Sequence, residues 1–235
     1  MSKYDKITTN AAGREVPQVI NGKEAVPFMG VGEFRPTGRK YAPPISTCAD
    51  YPADGNKTLG SIREALERCG LKDGMTISTH HHFRNGDLVG NQIFDAAAAM
   101  GVKGLTWAPS ASFECHSPLI KYLEDGTIHH IEGSMNGALG KFTSEGGMQG
   151  MGVLRSHGGR YQAIQDGDLH VDIAVIAAPT ADAFGNATGD RGPAACGLLG
   201  FALADSQYAD KRQPRTFSLC TLADPRQLRG LCGGS

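Results

Sequence analysis

At 235 residues, 40% hydrophobic and 20% charged, the chain can bury one large core, or one domain plus an extension. A formal net charge of −1 excludes a nucleic-acid binder relying on bulk positive charge and gives no steering toward anionic membranes. No apolar run approaches the ~20 residues of a membrane span, and the N-terminus lacks a signal-peptide core, so a cytoplasmic globular protein is expected.

Residues 1–56 read as an irregular arm. Pro17, Pro27, Pro36, Pro43, Pro44 and Pro52 interrupt any helix, while the apolar content suits a segment that wraps the domain or a partner subunit. From Lys57 the pattern becomes regular. Leu59, Ile62, Ala65 and Leu66 recur at helical spacing, and Cys69-Gly70 supplies a stop. Met75 to Thr79 alternates like a strand.

Directly after that strand come His80, His81, His82, Phe83, Arg84, Asn85, Gly86 and Asp87. Strand ends are where α/β folds collect functional groups. On an extended chain, His80 and His82 share one face and His81 takes the other. Arg84 has the planar fork that holds a carboxylate through two bonds, and a nearby imidazole can donate a proton or a hydrogen bond near neutral pH. Three roles are open to this turn: carboxylate recognition, structural hydrogen bonding, and metal binding. The last wants ligands that His116, His129 and His130 supply only loosely, and no metal is expected.

Asn91 to Met100 reads as a helix, Gly104 to Ala108 as a strand ended by Pro109, Pro118 to Leu123 as a short helix and Thr127 to Ile131 as a third strand. The 32 glycines exceed the ~7% of ordinary chains and cluster between Gly133 and Gly159. A loop carrying Gly146, Gly147, Gly150 and Gly152 can surround a diphosphate with backbone N–H groups, with Glu145 as the one carboxylate inside it. Tight turns and close packing explain the same glycines equally well. The spacing matches neither a P-loop nor a dinucleotide fingerprint. No Gly-x-Ser-x-Gly or Ser-His-Asp pattern points to a hydrolase.

Ala163 to Leu169 leads into the strongest element, the uninterrupted apolar strand Ile173 to Ala178, covered on both faces. Pro179 ends it, and Thr180, Asp182 and Asn186 follow where open α/β sheets place ligands. Gly197 to Ala204 is a helix or its start. Together the elements define an α/β fold, a mostly parallel open sheet with helices on both faces, over residues 57–211. Six cysteines without C-x-x-C spacing are expected to be reduced and structural.

Three motifs carry a resemblance: His80 to Asp87, the Gly-Ser-Met-Asn-Gly-Ala-Leu-Gly run from Gly133, and Ala178-Pro-Thr-Ala-Asp-Ala-Phe-Gly-Asn186. Together they resemble the CoA-transferase superfamily and, within it, citrate lyase α chains, over roughly residues 1–210. The resemblance implies acyl transfer, with citrate displacing acetate from the thioester of an acyl carrier. Its implied partners are a β chain, which cleaves the citryl thioester, and a γ chain, which bears a CoA-like group, in an oligomeric assembly. It implies no permanently bound cofactor. The substrate contacts would be His80, His81, His82, Arg84, Asn85, Asp182 and Asn186, and the thioester-carrier contacts Glu145, Gly146, Gly147, Gly150 and Gly152. Such chains carry two similar α/β halves, of which this sequence supplies the first. Rival readings are a CoA-transferase for another carboxylate and a non-catalytic module that binds the carrier.

Residues 212–235 break the pattern: four arginines and two cysteines stand where an apolar strand is due. Codons for Leu219 to Ser235 can be chosen so that a one-base shift restores text resembling the family. A frameshift with a poorly packed tail is therefore the expectation, and whether the fragment is active or inactive stays open at this point. Resequencing the gene there tests it.

Overall fold

The computed structural model describes residues 6–10, 12–25, 56–200, 202–209 and 216–220, the last as backbone only. The chain divides into two units, Met1–Arg39 and Lys40–Ser235. In the first, β1 (Ile7–Thr9) pairs antiparallel with β2 (Glu15–Pro17), and β3 (Val19–Ile20) with β4 (Lys23–Glu24). The stretch read as irregular thus holds two short ladders; residues 1–5, 11 and 26–55 of the expected arm lie outside the described residues.

The second unit is built on a five-stranded sheet with every ladder parallel. Its strands are β5 (Thr76–Thr79), β6 (Leu105–Pro109), β7 (Ile128–Ile131), β8 (Ile173–Ala178) and β11 (Thr216–Cys220), in the order β11-β8-β5-β6-β7. A short hairpin, β9 (Thr180–Ala181) with β10 (Ala187–Thr188), follows β8.

Strand alternation separates two cores. Ile77, Leu105, Trp107, Ile173, Val175 and Ala177 belong to one. There they meet α1 (Ile62–Arg68), α2 (Val89–Ala99), α3 (Ile120–Glu124) and α4 (Gly137–Ser144) through Leu66, Ile93, Leu123 and Leu139. Ala108 and Ala174 face the other way, toward α5 (His157–Asp166) and α6 (Ala202–Tyr208) through Ala163, Ile164 and Ala204. Successive strand side chains point to opposite faces, so helices cover both sides as the apolar run of β8 requires.

Serine caps set two helix starts. Ser61 Oγ accepts from Glu64 N at 3.1 Å, and Ser156 Oγ accepts from Gly159 N at 3.0 Å. Gly167 closes α5 with a φ of +80°.

Three helices depart from the sequence reading. α4 forms inside the segment read as a glycine loop, and α5 spans residues that were given no helix. α6 starts five residues beyond the expected Gly197. In the tail, Thr216–Cys220 adds a strand beside β8, with Thr216 opposite Ala174. Residues 210–215 and 221–235, and the frameshift expected across them, lie outside the described residues.

Candidate functional site

Chain order along the sheet reverses at β5: β6 and β7 step off one side, and β8 returns to the other. Ligands of open parallel sheets bind outside the carboxyl ends of the strands at such a reversal. The histidine turn after β5 and the hairpin after β8 flank this point.

β5 holds the turn from below. Thr79 Oγ1 accepts from the indole N–H of buried Trp107 at 2.9 Å. Ser78 and His80 lie on the α5–α6 side, where they meet the fully buried Asp205 and Arg160. Arg160 grips the Asp205 carboxylate through both nitrogens, Nη1 at 3.0 Å and Nη2 at 2.9 Å. Its Nη2 also donates to Ser78 Oγ at 2.6 Å and the Ala108 carbonyl at 3.1 Å. The row Ser78, Ala108, Ala174 is small, which leaves room for a guanidinium against the sheet. Burial alone would push the Asp205 carboxyl up, but His80 and Arg160 hold it far below the usual carboxylate range.

His80 Nε2 lies 3.3 Å from Asp205 Oδ2, off the line of a hydrogen bond. Its ring stacks on His82, centroids 5.4 Å apart and planes within 7°. His81 goes the opposite way, toward Phe113 and His157 and onto Ser110. The alternation expected of an extended chain is thus observed. Burial, then the neighbouring His80 and His81, push His82 down to about 4. Burial also lowers His81, helped by His80, His157 and Arg84, while Asp87 pulls the other way. Both imidazoles are neutral at pH 7.

Arg84 is exposed and opens a 3-10 turn with a φ of +50°, the left-handed region that a side chain seldom occupies. Among the described residues its guanidinium has no ion pair, so it stands available to an anion. Asn85 is structural, its Oδ1 accepting from Cys115 N at 2.9 Å and tying this turn to the segment after β6. Asp87 Oδ1 accepts from Val89 N at 3.0 Å and starts α2. Burial and the Asp87 charge push the Cys115 thiol up, which argues against a thiolate nucleophile.

The N-terminus of α5 arrives beside His81, with the His157 ring 6.4 Å from it, centroid to centroid. Glu132 at the end of β7 positions this approach by accepting from Arg155 at 3.0 Å. Burial would raise the Glu132 carboxyl, but bonds from His130 and Arg155 bring it below its ordinary value. The positive end of the helix dipole favours an anion and a neutral imidazole here.

Asp182 and Asn186 sit at the exposed tip of the β9–β10 hairpin. Asp182 Oδ1 accepts from Phe184 N at 3.0 Å and Asn186 N at 2.9 Å, and its Oδ2 accepts from Asn186 Nδ2 at 2.8 Å. These bonds lower its carboxyl pKa and engage both oxygens within the turn.

The glycine segment is also engaged internally. Gly146 N donates to Thr143 O and Gly147 N to Phe142 O, both at 3.0 Å, and Gly146 has a φ of +77°. This is the paired-bond termination of a helix by a left-handed glycine. Gly150 N donates to His129 O at 2.9 Å. A Cβ on Gly147 would stand 2.5 Å from the Phe142 ring, and one on Gly152 2.8 Å from Thr143. Close packing accounts for these glycines, and three of the four N–H groups are spent within the chain. Glu145 is exposed at the end of α4, 3.9 Å from Lys141.

The structure thus gathers His80, His81, His82, Arg84 and Asn85 at the carboxyl end of the central strand and leaves Glu145 and the glycines on α4 and its exit. Ser110, Phe113, His157, Arg160 and Asp205 join the first group without having been named from sequence. Ser110 follows β6 as His80 follows β5, so the strand-end rule could have found it. Asp205 stands alone as a carboxylate in an alanine-rich helix, a weaker signal. Among the described residues, no three His, Cys, Asp or Glu side chains converge as a metal site, and no helix is long and apolar enough to cross a membrane.

Residues 55–223 match the family described as "Citrate lyase, alpha subunit (CitF)". The chain is 40% identical over 171 residues to the citrate lyase alpha chain of Haemophilus influenzae, covering 72% of this chain and 34% of that protein. Against the Escherichia coli chain it is 41% identical over 167 residues, covering 71% and 33%. A solved structure from Streptococcus mutans, described as an alpha subunit of citrate lyase in complex with citrate, superposes with a TM-score of 0.78 at 36% identity, covering 92% of this chain and 46% of that one. The chain therefore spans about a third of the length of the curated relatives it matches.

Proposed function

Because the chain belongs to the citrate lyase alpha subunit family, we propose that it is the acyl-transfer part of that enzyme, exchanging citrate for acetate on the thioester of an acyl carrier protein. The observation that carries the reading is the set of groups around His81: neutral imidazoles, the unpaired Arg84 guanidinium and the positive end of α5, all at the sheet's reversal point. That set suits a ligand of several carboxylates, and the Streptococcus mutans relative was solved with citrate.

The chemistry needs no oxidant and no net proton transfer. A citrate carboxylate oxygen adds to the acetyl thioester carbon, the C–S bond breaks, and the carrier thiolate leaves a mixed anhydride. The thiolate then adds to the citryl carbonyl and acetate departs. In this scheme the chain's residues bind and align the carboxylate and stabilise the oxyanion with fixed N–H donors. Arg84 takes a carboxylate and His81 a developing oxyanion, while His80 and Asn85 hold the turn in shape. Glu145 is given no covalent role. The reading places the chain in the cytoplasm beside β and γ chains, with CoA or a CoA-like group on the carrier as thioester partner.

Carboxylate binding is the activity to test on this chain. Titration calorimetry with citrate should show binding by the natural chain and a loss of about tenfold or more in Arg84→Gln, the scale of one charge-assisted contact. A folded chain that binds acetate, malonate and citrate equally weakly, with Arg84→Gln unchanged, would sink the reading.

A further inference from the structure

We infer that Ser110 is a positioning residue that locks His81 in one tautomer, with the proton on Nε2 and the lone pair on Nδ1. This inference rests on the carboxylate-site reading above and names the residue that orients its hydrogen-bond donor.

The direction of the bond follows from matching donors to acceptors. Ser110 Oγ lies 2.5 Å from His81 Nδ1 and also accepts from the backbone N–H of His81 at 3.3 Å. Ser110 itself is 7% exposed, and its own N–H donates to Thr79 O at 3.1 Å. A buried hydroxyl needs an acceptor for its proton, and among the described residues His81 Nδ1 is the one within reach. Were Nδ1 to carry hydrogen, the serine proton would have no partner. The arrangement that satisfies every group is Oγ–H donating to Nδ1, which places the imidazole proton on Nε2.

The other groups facing His81 agree. His80 and Arg84 on its own turn, and His157 from α5, disfavour a charged ring, and Asp87 opposes them weakly. Phe113 packs on the ring at 5.6 Å between centroids and limits its rotation. His81 Nε2 has no partner among the described residues, so the locked ring offers one aimed donor. A neutral imidazole of fixed tautomer serves a developing oxyanion with no reorganisation during the reaction. An imidazole free to exchange tautomers would present a lone pair for part of the time.

The lock is tested by nitrogen-15 histidine NMR on the natural chain, Ser110→Ala and Ser110→Thr. The natural chain should show the Nε2–H tautomer for His81. Ser110→Ala should show mixed tautomers and a titration midpoint raised by about half to one pH unit, since a bond to the neutral form has been lost. Ser110→Thr, which keeps the hydroxyl, should restore the natural pattern. Citrate affinity should follow the same order, falling about three- to tenfold in Ser110→Ala and returning in Ser110→Thr. A natural chain with its proton on Nδ1 overturns the inference, as does a Ser110→Ala spectrum and midpoint identical to the natural ones. An intact lock in a chain that binds no citrate supports the lock and overturns the citrate reading instead.

Discussion

Asp205 and Arg160 are the pair on which the second face of the sheet depends. Each is buried and they pair through both Nη atoms, so removing one leaves an uncompensated charge. Asp205→Asn should cost about 3–5 kcal/mol in urea unfolding. Replacing both, as Asp205→Leu with Arg160→Met, should cost less than either single change, because no charge is stranded. The native carboxyl titrates below its unfolded value, so its contribution is present above the ordinary carboxylate range. It fades as pH falls from the ordinary carboxylate range toward the native value. His82 acts in a different window. Its native value of about 4 lies below the unfolded 6.5, so between those pH values the unfolded chain takes up a proton that the native chain refuses. Stability should fall as pH drops from about 6.5 to about 4, and His82→Phe should flatten that slope in urea midpoints measured at pH 7 and pH 4.5.

Elements with one dominant physical signal were legible. β8 reads directly from Ile173 to Ala178, because a run buried on both faces needs apolar residues at every position. α2 and β7 were placed within two residues for the same kind of reason. α4 and α5 were hidden because glycines sit inside them: Gly137 and Gly140 in one, Gly158 and Gly159 in the other. Glycine is a poor helix former, and tertiary contacts override that preference here. The histidine turn could be found because it is contiguous. Its supports could not, since Ser78 and Asp205 are 127 residues apart and only the fold brings them together. At the end of α4, Gly146→Ala should lower stability by about 1–2 kcal/mol by forcing a side chain into left-handed backbone. Urea denaturation checks this, and citrate binding should be unaffected, since Gly146 lies just past the end of α4 rather than at the histidine turn.

At the scale of the molecule, one residue reports on the whole sheet. Trp107 is the single tryptophan, it is fully buried, and it links β6 to β5 through Thr79. It also packs edge-on against Phe94 of α2 and against His116. Its fluorescence should therefore change in urea together with the far-ultraviolet circular dichroism of the chain. A tryptophan transition well before the dichroism would mean that the α1–α2 face melts separately from the α5–α6 face.

The Arg160 network also sets an order of events during synthesis. Its hydrogen-bond partners on β5 and β6 leave the ribosome before it, but Asp205 follows it by 45 residues. At ~5–20 residues per second, the nascent chain holds that guanidinium for about 2–9 s without its carboxylate. Until α6 emerges, the face of the sheet carrying Ala108 and Ala174 cannot close without trapping a bare charge. In the growing chain that face therefore stays wet until its last described helix arrives.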